Sequence, residues 1–510
     1  MRVPTGRDVR RWSRHRAGRR SEGAFGDLLS DVYSAVLAVT MSVAIALSVA
    51  ARLGADLADA PPVSDGGLVL APGWLAILVG PAALAAIAGL AARLGPVAVP
   101  EHQGQWWLAM PVGRRSLLRP AAARWPLLAV LPGAVVAAAI TLVLAPGAGA
   151  AALTAAVALG GAVAAAVVLV TALTETSRAR HRRARAAADI CLALVPLTGG
   201  VVAVGSMPVP AVPVRPAAPA VVAVVVAAGL AVLVDLRLAR MHGSLLRERG
   251  AVGGEALGAV LALDTRALGR ALSASAEPAE RRRSARLSWL PRVPGRWRAR
   301  AVLVAADALV LLRSPRHLVQ LLVTATLPAL ALAVPQPVPV VTLVLLVGGA
   351  YAGALATADG ARRAQVAPVL DALLPLGQNQ VRRLRLVVPA AAMVLWSGAV
   401  FAVIGVRYGD PASWLLLGVL SAPVWAAGAV RAAYRPLPDF SGPLIHTPMG
   451  ALPPGMSTVV SKGPDVAILC AVPVLIALLL GAVPSVLLAV QAALAVAALA
   501  VAGHPGKRRP

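Results

Sequence analysis

The sequence predicts an all-α membrane protein with about twelve transmembrane helices. Apolar residues make up 58% of the 510 residues, and the mean hydropathy is +0.77. Many apolar runs reach the ~18–20 residues that cross about 30 Å of hydrocarbon. The basic residues stand between these runs and rarely within them, which is typical of a chain that crosses a membrane many times.

Twelve runs are predicted to span the membrane. They cover residues 32–52, 68–94, 126–145, 150–173, 189–206, 217–234, 318–334, 338–358, 386–406, 412–430, 466–483 and 485–502. Pro72, Pro81 and Pro132 are expected to begin or kink their helices, because neighbouring helices in a bundle tolerate such prolines.

The positive charge lies almost entirely on one side of these spans. All but three of the 48 lysines and arginines fall in the termini or the even-numbered connections; the exceptions are Arg52, Arg215 and Arg407. The positive-inside rule therefore places both termini and the basic loops in the cytoplasm, at the cell membrane. A net charge of +26 also suggests a nucleic-acid partner, but this distribution explains the charge by topology, so we expect none.

Two basic segments repeat each other. The first basic segment (residues 106–120) contains "LAMPVGRRSLLR", and the second (residues 373–384) reads "LLPLGQNQVRRL". Placing Pro111 on Pro375 also brings Gly113 onto Gly377 and the second, third and fourth spans of each half onto one another. We therefore predict a 6+6 duplication: a first half at 1–234 with a basic amphipathic N-terminus, a cytoplasmic linker at 235–300, and a second half at 301–510.

Two cytoplasmic stretches differ from the short loops. The linker contains "EALGAVLALDTRALGRAL", whose apolar residues have helical spacing, and then a basic stretch that is either solvated or laid on anionic lipid. The late loop 434–465 is rich in proline and glycine and cannot be helical throughout. It is a candidate contact for a partner or gate, through residues Pro448, Gly450, Pro453, Pro454 and Gly455.

The sequence offers no catalytic, cofactor or metal site. A nucleotide-hydrolysing loop would end in Gly-Lys-Ser/Thr, and neither lysine, Lys462 or Lys507, stands in such a motif. The seven histidines are expected to be solvated loop residues, since none pairs with another at metal-ligand spacing. Acidic residues such as Glu175 and Asp235 fall at span ends, which argues against proton relays inside the membrane.

Two stretches resemble permeases of the ABC-2 type of exporter. "AADALVLLRSPRHLVQLL" (305–322) is similar to their amphipathic elbow and first span, and "LAMPVGRRSLL" to the loop that carries their coupling helix. The late loop "GPL..TPMGALPPG" looks like that of an actinobacterial family of multi-pass membrane proteins. The resemblance implies an elbow at Arg313, Pro315 and Arg316, and ATPase-coupling residues at Pro111, Gly113, Arg114, Arg115, Arg119, Pro375, Gly377, Arg382 and Arg383.

The resemblance implies a non-enzymatic permease that relies on a separate ATPase subunit. Gln378 and Asn379 stand where the first segment has Arg114 and Arg115, so equal coupling by both halves is not implied. From the residues alone, the arginines of the first segment fit either an acidic groove on a partner or lipid head groups. Two rival functions stay open: a secondary transporter with two parallel six-helix halves, and a non-transporting membrane scaffold.

Overall fold

The chain forms two compact units, which we describe one at a time. The computed structural model describes residues 5–18, 25–58, 72–97, 99, 101–204, 217–241, 243–261, 288–332, 339–435, 445–447, 450–452 and 463–504. Unit 1 comprises Met1–Ser64, Ala71–Val195 and Pro208–Pro278, and unit 2 comprises Asp65–Leu70, Pro196–Met207 and Ala279–Pro510.

The described part of unit 1 consists of helices joined by turns. Its helices are α1 (Gly6–Gly18), α2 (Phe25–Ala58), α3 (Pro72–Leu94), α4 (Glu101–Trp107), α5 (Arg114–Leu144), α6 (Ala150–Thr174), α7 (Arg178–Val204, in unit 1 as far as Val195), α8 (Ala217–Arg237) and α9 (Gly243–Leu261). The first is capped by its own sequence, because Asp8 accepts hydrogen bonds from the backbone N–H and the hydroxyl of Thr5 at 2.9 and 2.6 Å.

Unit 2 is also mainly helical. Its helices are α10 (Gly295–Leu312), α11 (Pro315–Leu332), α12 (Pro339–Thr357), α13 (Asp359–Val366), α14 (Pro368–Ala372), α15 (Gln378–Leu384), α16 (Val387–Tyr408), α17 (Pro411–Ala433), α18 (Pro464–Leu469), α19 (Val472–Leu480) and α20 (Ser485–Gly503). Gly409 ends α16 at a φ of +81°, a conformation that favours glycine. Asp410 then caps α17 by accepting the N–H of Ser413 at 3.2 Å.

The apolar helices confirm a multi-pass α-helical membrane protein. Among the described residues, nine helices are long and apolar enough to cross a membrane, or ten if the pair Val341–Thr357 and Asp359–Val366, bent by 54°, is one span. The nine are Val36–Ala55, Ile77–Leu94, Arg114–Leu144, Ala150–Thr174, Ala179–Val202, Ala217–Arg240, Gln378–Tyr408, Pro411–Ala433 and Ser485–Gly503.

Each of the twelve predicted spans overlaps a described helix, but three of them have no match among the nine candidate spans. The predicted span 338–358 counts only if α12 and α13 are one bent span, and the predicted spans 318–334 and 466–483 fall short. α11 carries Arg316, His317 and Gln320 in its first two turns, which lowers its hydropathy. The predicted span 466–483 is broken at Cys470–Ala471 into α18 and α19, of six and nine residues, which at 1.5 Å per residue are too short to span singly. The number twelve therefore stays a prediction.

In unit 1, the third predicted span is the central packing element. α5 lies along α6 and also packs on α2 and α3, while α6 packs on α8. Glycines make the α5–α6 crossing close, since a Cβ on Gly133 would overlap Ala164 and the carbonyl oxygen of Gly160. The outer face of α8 is apolar and exposed, with Val221 65% and Val225 64% accessible, as expected for a surface that lipid covers.

In unit 2, the corresponding helices pack in the same order. α16 lies along α17 and packs on α11 and α12, while α17 packs on α20. The core is more aromatic than that of unit 1: Trp414 and Phe401 are fully buried, and Trp414 stacks on Tyr408 with ring centroids 5.1 Å apart. This packing makes α17 the most enclosed of the nine candidate spans, with 67% of its window buried.

The late loop contains the only strands in the part of the chain that the structure describes. β1 (Ile445–Thr447) and β2 (Gly450–Leu452) form an antiparallel hairpin, with His446 opposite Ala451. The prediction that this loop is not helical throughout is confirmed for these six residues. They are a small exception to the all-α fold class.

Candidate functional site

The first basic segment is a helix–turn–helix at one end of unit 1. α4 ends at Trp107, residues 108–113 form the turn, and α5 begins at Arg114. Gly113 precedes the first helical residue, and its carbonyl oxygen accepts the hydroxyl of Ser116 at 2.9 Å. Pro111 lies in the turn, where its missing N–H costs no helical hydrogen bond.

The arginines of this segment bind unit 1 itself. Arg115 donates to Asp235 at 3.0 and 2.5 Å, and Arg119 donates to the same carboxylate at 2.6 and 2.8 Å. Arg114 donates to the carbonyl oxygen of Met241 at 3.2 Å. The start of α5 is thus fastened to the end of α8 and the turn that follows it. Sequence reasoning placed Asp235 at a span end but had no signal for this pairing across 116 and 120 residues.

The N-terminal helix α1 holds the same segment from another direction. Arg10 donates to the carbonyl oxygens of Ser116 and Leu117, and the N–H of Gly6 donates to the hydroxyl of Ser116 at 3.2 Å. A Cβ on Gly6 would lie 2.6 Å from that hydroxyl oxygen, so glycine permits the approach. The basic N-terminal helix is therefore attached to the coupling-loop candidate.

Large apolar side chains stay exposed beside these attachments. Trp106, near the end of α4, is 71% exposed, and Met110, in the turn, is 38% exposed. Their arginine neighbours are partly occupied by Asp235, with 44% of the Arg115 and 50% of the Arg119 side chain accessible. Because Arg115 and Arg119 already bind Asp235, Trp106 and Met110 are the residues of the first basic segment most available for contact with a partner.

The second basic segment is built in the same way at an end of unit 2. Gly377 caps α15, and Pro375 lies exposed in the turn before it. Arg382 donates to the carbonyl oxygen of His504 at 3.2 Å, just beyond α20. The stem of Arg383 lies against Gly503, where a Cβ would stand 3.1 Å from its Cγ. As in unit 1, the segment is bound to residues at the end of the last predicted span of its half.

A buried ion triad follows this segment. Arg385 is 6% exposed; it donates to Asp307 of α10 at 2.8 Å and to Asp371 of α14 at 2.6 Å. Burial raises the pKa of Asp307, and the charge of Arg385 opposes that shift. Sequence reasoning did not single out these three residues, because the pair Arg385–Asp307 is separated by 78 residues. The triad joins the amphipathic helix α10 to the second basic segment, as Arg10 joins α1 to the first.

Three exposed apolar residues lie just before the second basic segment and at its first residue. Val366 is 67%, Val369 71% and Leu373 77% exposed. They lie in the short helices α13 and α14 and directly after them, between the second and third predicted spans of the second half. We call Val366, Val369 and Leu373 the apolar row.

The elbow and late-loop residues lie elsewhere. Arg313 ends α10 and Pro315 begins α11, so the predicted elbow is a break between two helices, with Arg313 and Arg316 exposed. Gly450 opens β2. The other late-loop candidates, Pro448, Pro453, Pro454 and Gly455, lie outside the described residues.

The first part of the predicted linker is a helix packed on unit 1. α9 contacts α3 and α4, and its Leu246 is buried in a cluster with Val97 and Leu118. Arg249 of α9 lies 2.7 Å from Nε2 of His181 and 4.0 Å from Oε1 of Glu175. The predicted linker helix extended to residue 272, and its part beyond Leu261 lies outside the described residues.

His181 corrects the expectation that the histidines are solvated. It is only 4% exposed, because α9 covers it, and a single sequence does not reveal that a linker helix folds back. Since a guanidinium only donates hydrogen bonds, Nε2 of His181 accepts from Arg249.

We expect Glu175 to give unit 1 a contribution to stability that is lost as pH rises from about 4.5 to about 7. Burial raises the pKa of Glu175 to about 7, and the charge of Arg249 and the N–H of Val97 lower it only in part. A carboxyl whose folded-state pKa is raised stabilises the fold fully below its ordinary pKa of 4.5 and loses that contribution as pH rises through the folded value. His181 acts in the opposite direction, because burial lowers its pKa to about 3. The thermal midpoint of the purified wild type, measured from about pH 5 to pH 8, should therefore fall relative to that of a variant in which Glu175 cannot titrate.

The matched variant for this prediction is Glu175→Gln, which keeps the shape of the side chain and cannot titrate. The wild-type midpoint minus the variant midpoint should decrease as pH rises, because only Glu175 differs between the two proteins. The same pH dependence in both proteins would show that Glu175 does not contribute to it.

The helices and these segments define the class: a multi-pass α-helical membrane protein with paired, internally fastened loops. A family model described as a family of unknown function (DUF6297) matches residues 69–443. The chain belongs to this family. No curated protein and no solved structure matches the chain significantly, so the resemblance to ABC-2 permeases stays a prediction.

Proposed function

We propose that the protein is the transmembrane permease of an ATP-driven exporter of the ABC-2 type, working with a separate ATPase subunit. It has two six-span halves, and both termini and the basic loops lie in the cytoplasm. The distribution of lysine and arginine supports this orientation. ATP hydrolysis is assigned to the partner, because the chain lacks a loop ending in Gly-Lys-Ser/Thr.

The observation that carries the proposal is that both basic segments are attached in the same way. Each joins an amphipathic helix that precedes the first span, through Arg10 in unit 1 and Asp307 in unit 2. Each also joins the residues that follow the last predicted span of its half, at Asp235 or His504. A loop attached at both places transmits its movement to the first and last predicted spans of its half, as a coupling loop must.

The partner contact is assigned to apolar side chains. Trp106 and Met110 in unit 1 and the apolar row in unit 2 are large and exposed at these loops. Tryptophan is among the residues that most often dominate binding energy at protein interfaces, and burial of exposed valine and leucine adds apolar contact area. Arg115 and Arg119 hold the first segment on its own unit, so the earlier hypothesis of an arginine contact with the ATPase becomes secondary.

The proposed mechanism is mechanical. Nucleotide binding and hydrolysis in the ATPase move the two docked segments, and the ion pairs at Asp235 and the triad at Arg385 carry that motion to the helices. A bistable bundle converts small shifts at one end into a change of access. The substrate then crosses the membrane without entering into covalent chemistry with the protein.

One observation favours a second candidate, a proton-coupled secondary transporter. Glu175 is a buried carboxyl at the end of α6 with a pKa raised to about 7 by burial, and such groups serve as proton relays. Substrate flux that collapses with an uncoupler and persists without ATP would support this candidate against the exporter.

The experiment that tests the proposal is purification from native membranes in a mild detergent. We expect a P-loop ATPase to co-purify in a fixed ratio, and its removal to abolish transport. Purification without any associated ATPase, together with transport that continues in cells lacking the candidate ATPase, would overturn the proposal.

A further inference from the structure

A groove of about 320 Å³ lies between α5 and α8 in unit 1. This volume is at the lower end of the range of about 300–1,000 Å³ for ligand sites. We propose that the groove binds one acyl chain of an anionic phospholipid, with the lipid phosphate held by Arg115 and Arg119. The inference requires only that α5 and α8 cross a membrane, so it stands or falls independently of the ATPase partner.

The walls of the groove are apolar and small. Ala123 and Pro126 line it on α5, Ala231 and Val234 line it on α8, and Leu169 of α6, itself buried, lines it as well. Alanine leaves the space that a longer side chain would fill, and proline presents no N–H toward it. Such walls match a hydrocarbon chain and offer no hydrogen bonds to a polar ligand.

The rim of the groove is charged. Within the described part of unit 1, Arg119 and Asp235 are the ionisable residues that line it, and Arg115 binds the same carboxylate. Two guanidinium groups share one carboxylate, which leaves one excess positive charge, and about half of each arginine side chain is accessible. Guanidinium groups bind phosphate oxygens with charge-assisted hydrogen bonds, so the rim complements an anionic head group.

The charged rim and the apolar walls follow one another in the same order as the head group and the acyl chain of a phospholipid. Arg119 lies near the start of α5, while Leu127, farther along, is a lining residue that is 68% exposed. At 1.5 Å per residue, the groove runs about 12 Å along the helix from the charged end into the apolar region. A phosphate at the membrane interface and a chain parallel to the helices fit this geometry.

The test uses the full-length protein in detergent, titrated with dioleoyl phosphatidylglycerol or dioleoyl phosphatidylcholine and analysed by native mass spectrometry. We expect the wild type to bind phosphatidylglycerol several-fold more tightly. Ala123→Phe fills the groove and should weaken that binding about tenfold. Arg119→Gln should weaken it several-fold, and Arg363→Gln, which removes one partner of the exposed Arg363–Asp359 pair, should leave it unchanged.

Asp235→Asn provides a result that misfolding cannot imitate. It removes the carboxylate that competes for both arginines, so phosphatidylglycerol binding should become several-fold tighter. Equal binding of the two lipids by the wild type, or unchanged binding in both Ala123→Phe and Asp235→Asn, would overturn the proposal.

Discussion

Replacing Arg385 with leucine should destabilise unit 2 by about 3–5 kcal/mol. The substitution leaves Asp307, which is 8% exposed, as a buried carboxyl without its 2.8 Å guanidinium partner. Asp371 loses the same partner but keeps more water contact, with 22% of its side chain exposed. The measurement is the thermal midpoint of the purified protein, followed by circular dichroism.

Two variants make this result specific. Arg385→Met combined with Asp307→Leu removes both buried charges and should recover much of the loss, because an apolar pair of similar volume often replaces a buried ion pair without cost. Arg363→Gln breaks an exposed pair and should change the stability by less than about 1 kcal/mol. If Arg385→Leu behaves like Arg363→Gln, the triad does not hold α10 on the second basic segment.

Replacing Leu373 with glutamate should weaken association with the ATPase at least about tenfold, because it places an unpaired charge in an apolar contact. Leu373 is 77% exposed, so the substitution removes little packing within unit 2. The free energy of unfolding should therefore stay within about 0.5 kcal/mol of the wild-type value. Association is measured as the Kd between purified permease and ATPase in detergent.

The control for this substitution is Arg363→Gln, which alters an exposed charge on α13 and leaves all three side chains of the apolar row unchanged. It should bind the ATPase as the wild type does. Association that survives Leu373→Glu would assign the second basic segment to the membrane surface, which is the lipid-anchor interpretation of such segments.

Much of the fold was predictable from the sequence because hydropathy and charge are local properties. Runs of alanine, valine and leucine locate the apolar helices, and the arginine distribution predicts their orientation. The break at Cys470–Ala471 was missed, since the run is apolar on both sides. Its one signal is Pro473, which lies in the first turn of α19, where proline is well tolerated.

The candidate site was predictable only in part. The repeated Pro-x-Gly turns at Pro111 and Pro375 located both segments, because their spacing is visible in the chain. The partners of the arginines were not predictable: Asp235 and Asp307 lie far from them in sequence, and a single sequence carries no record of which charges meet. For the same reason, the sequence alone presents the arginines of the first segment as available to a partner, whereas in the structure Arg115 and Arg119 both bind Asp235.

The most direct test of the central claim is site-specific photo-crosslinking in intact cells. A photoreactive amino acid is placed at Leu373 or at Leu395, two leucines with the same exposed fraction of 77%; Leu395 lies within the apolar helix α16. We predict an adduct with a P-loop ATPase from position 373 and none from position 395. Adducts with lipid alone at both positions would contradict the account of this protein as an ATPase-coupled permease.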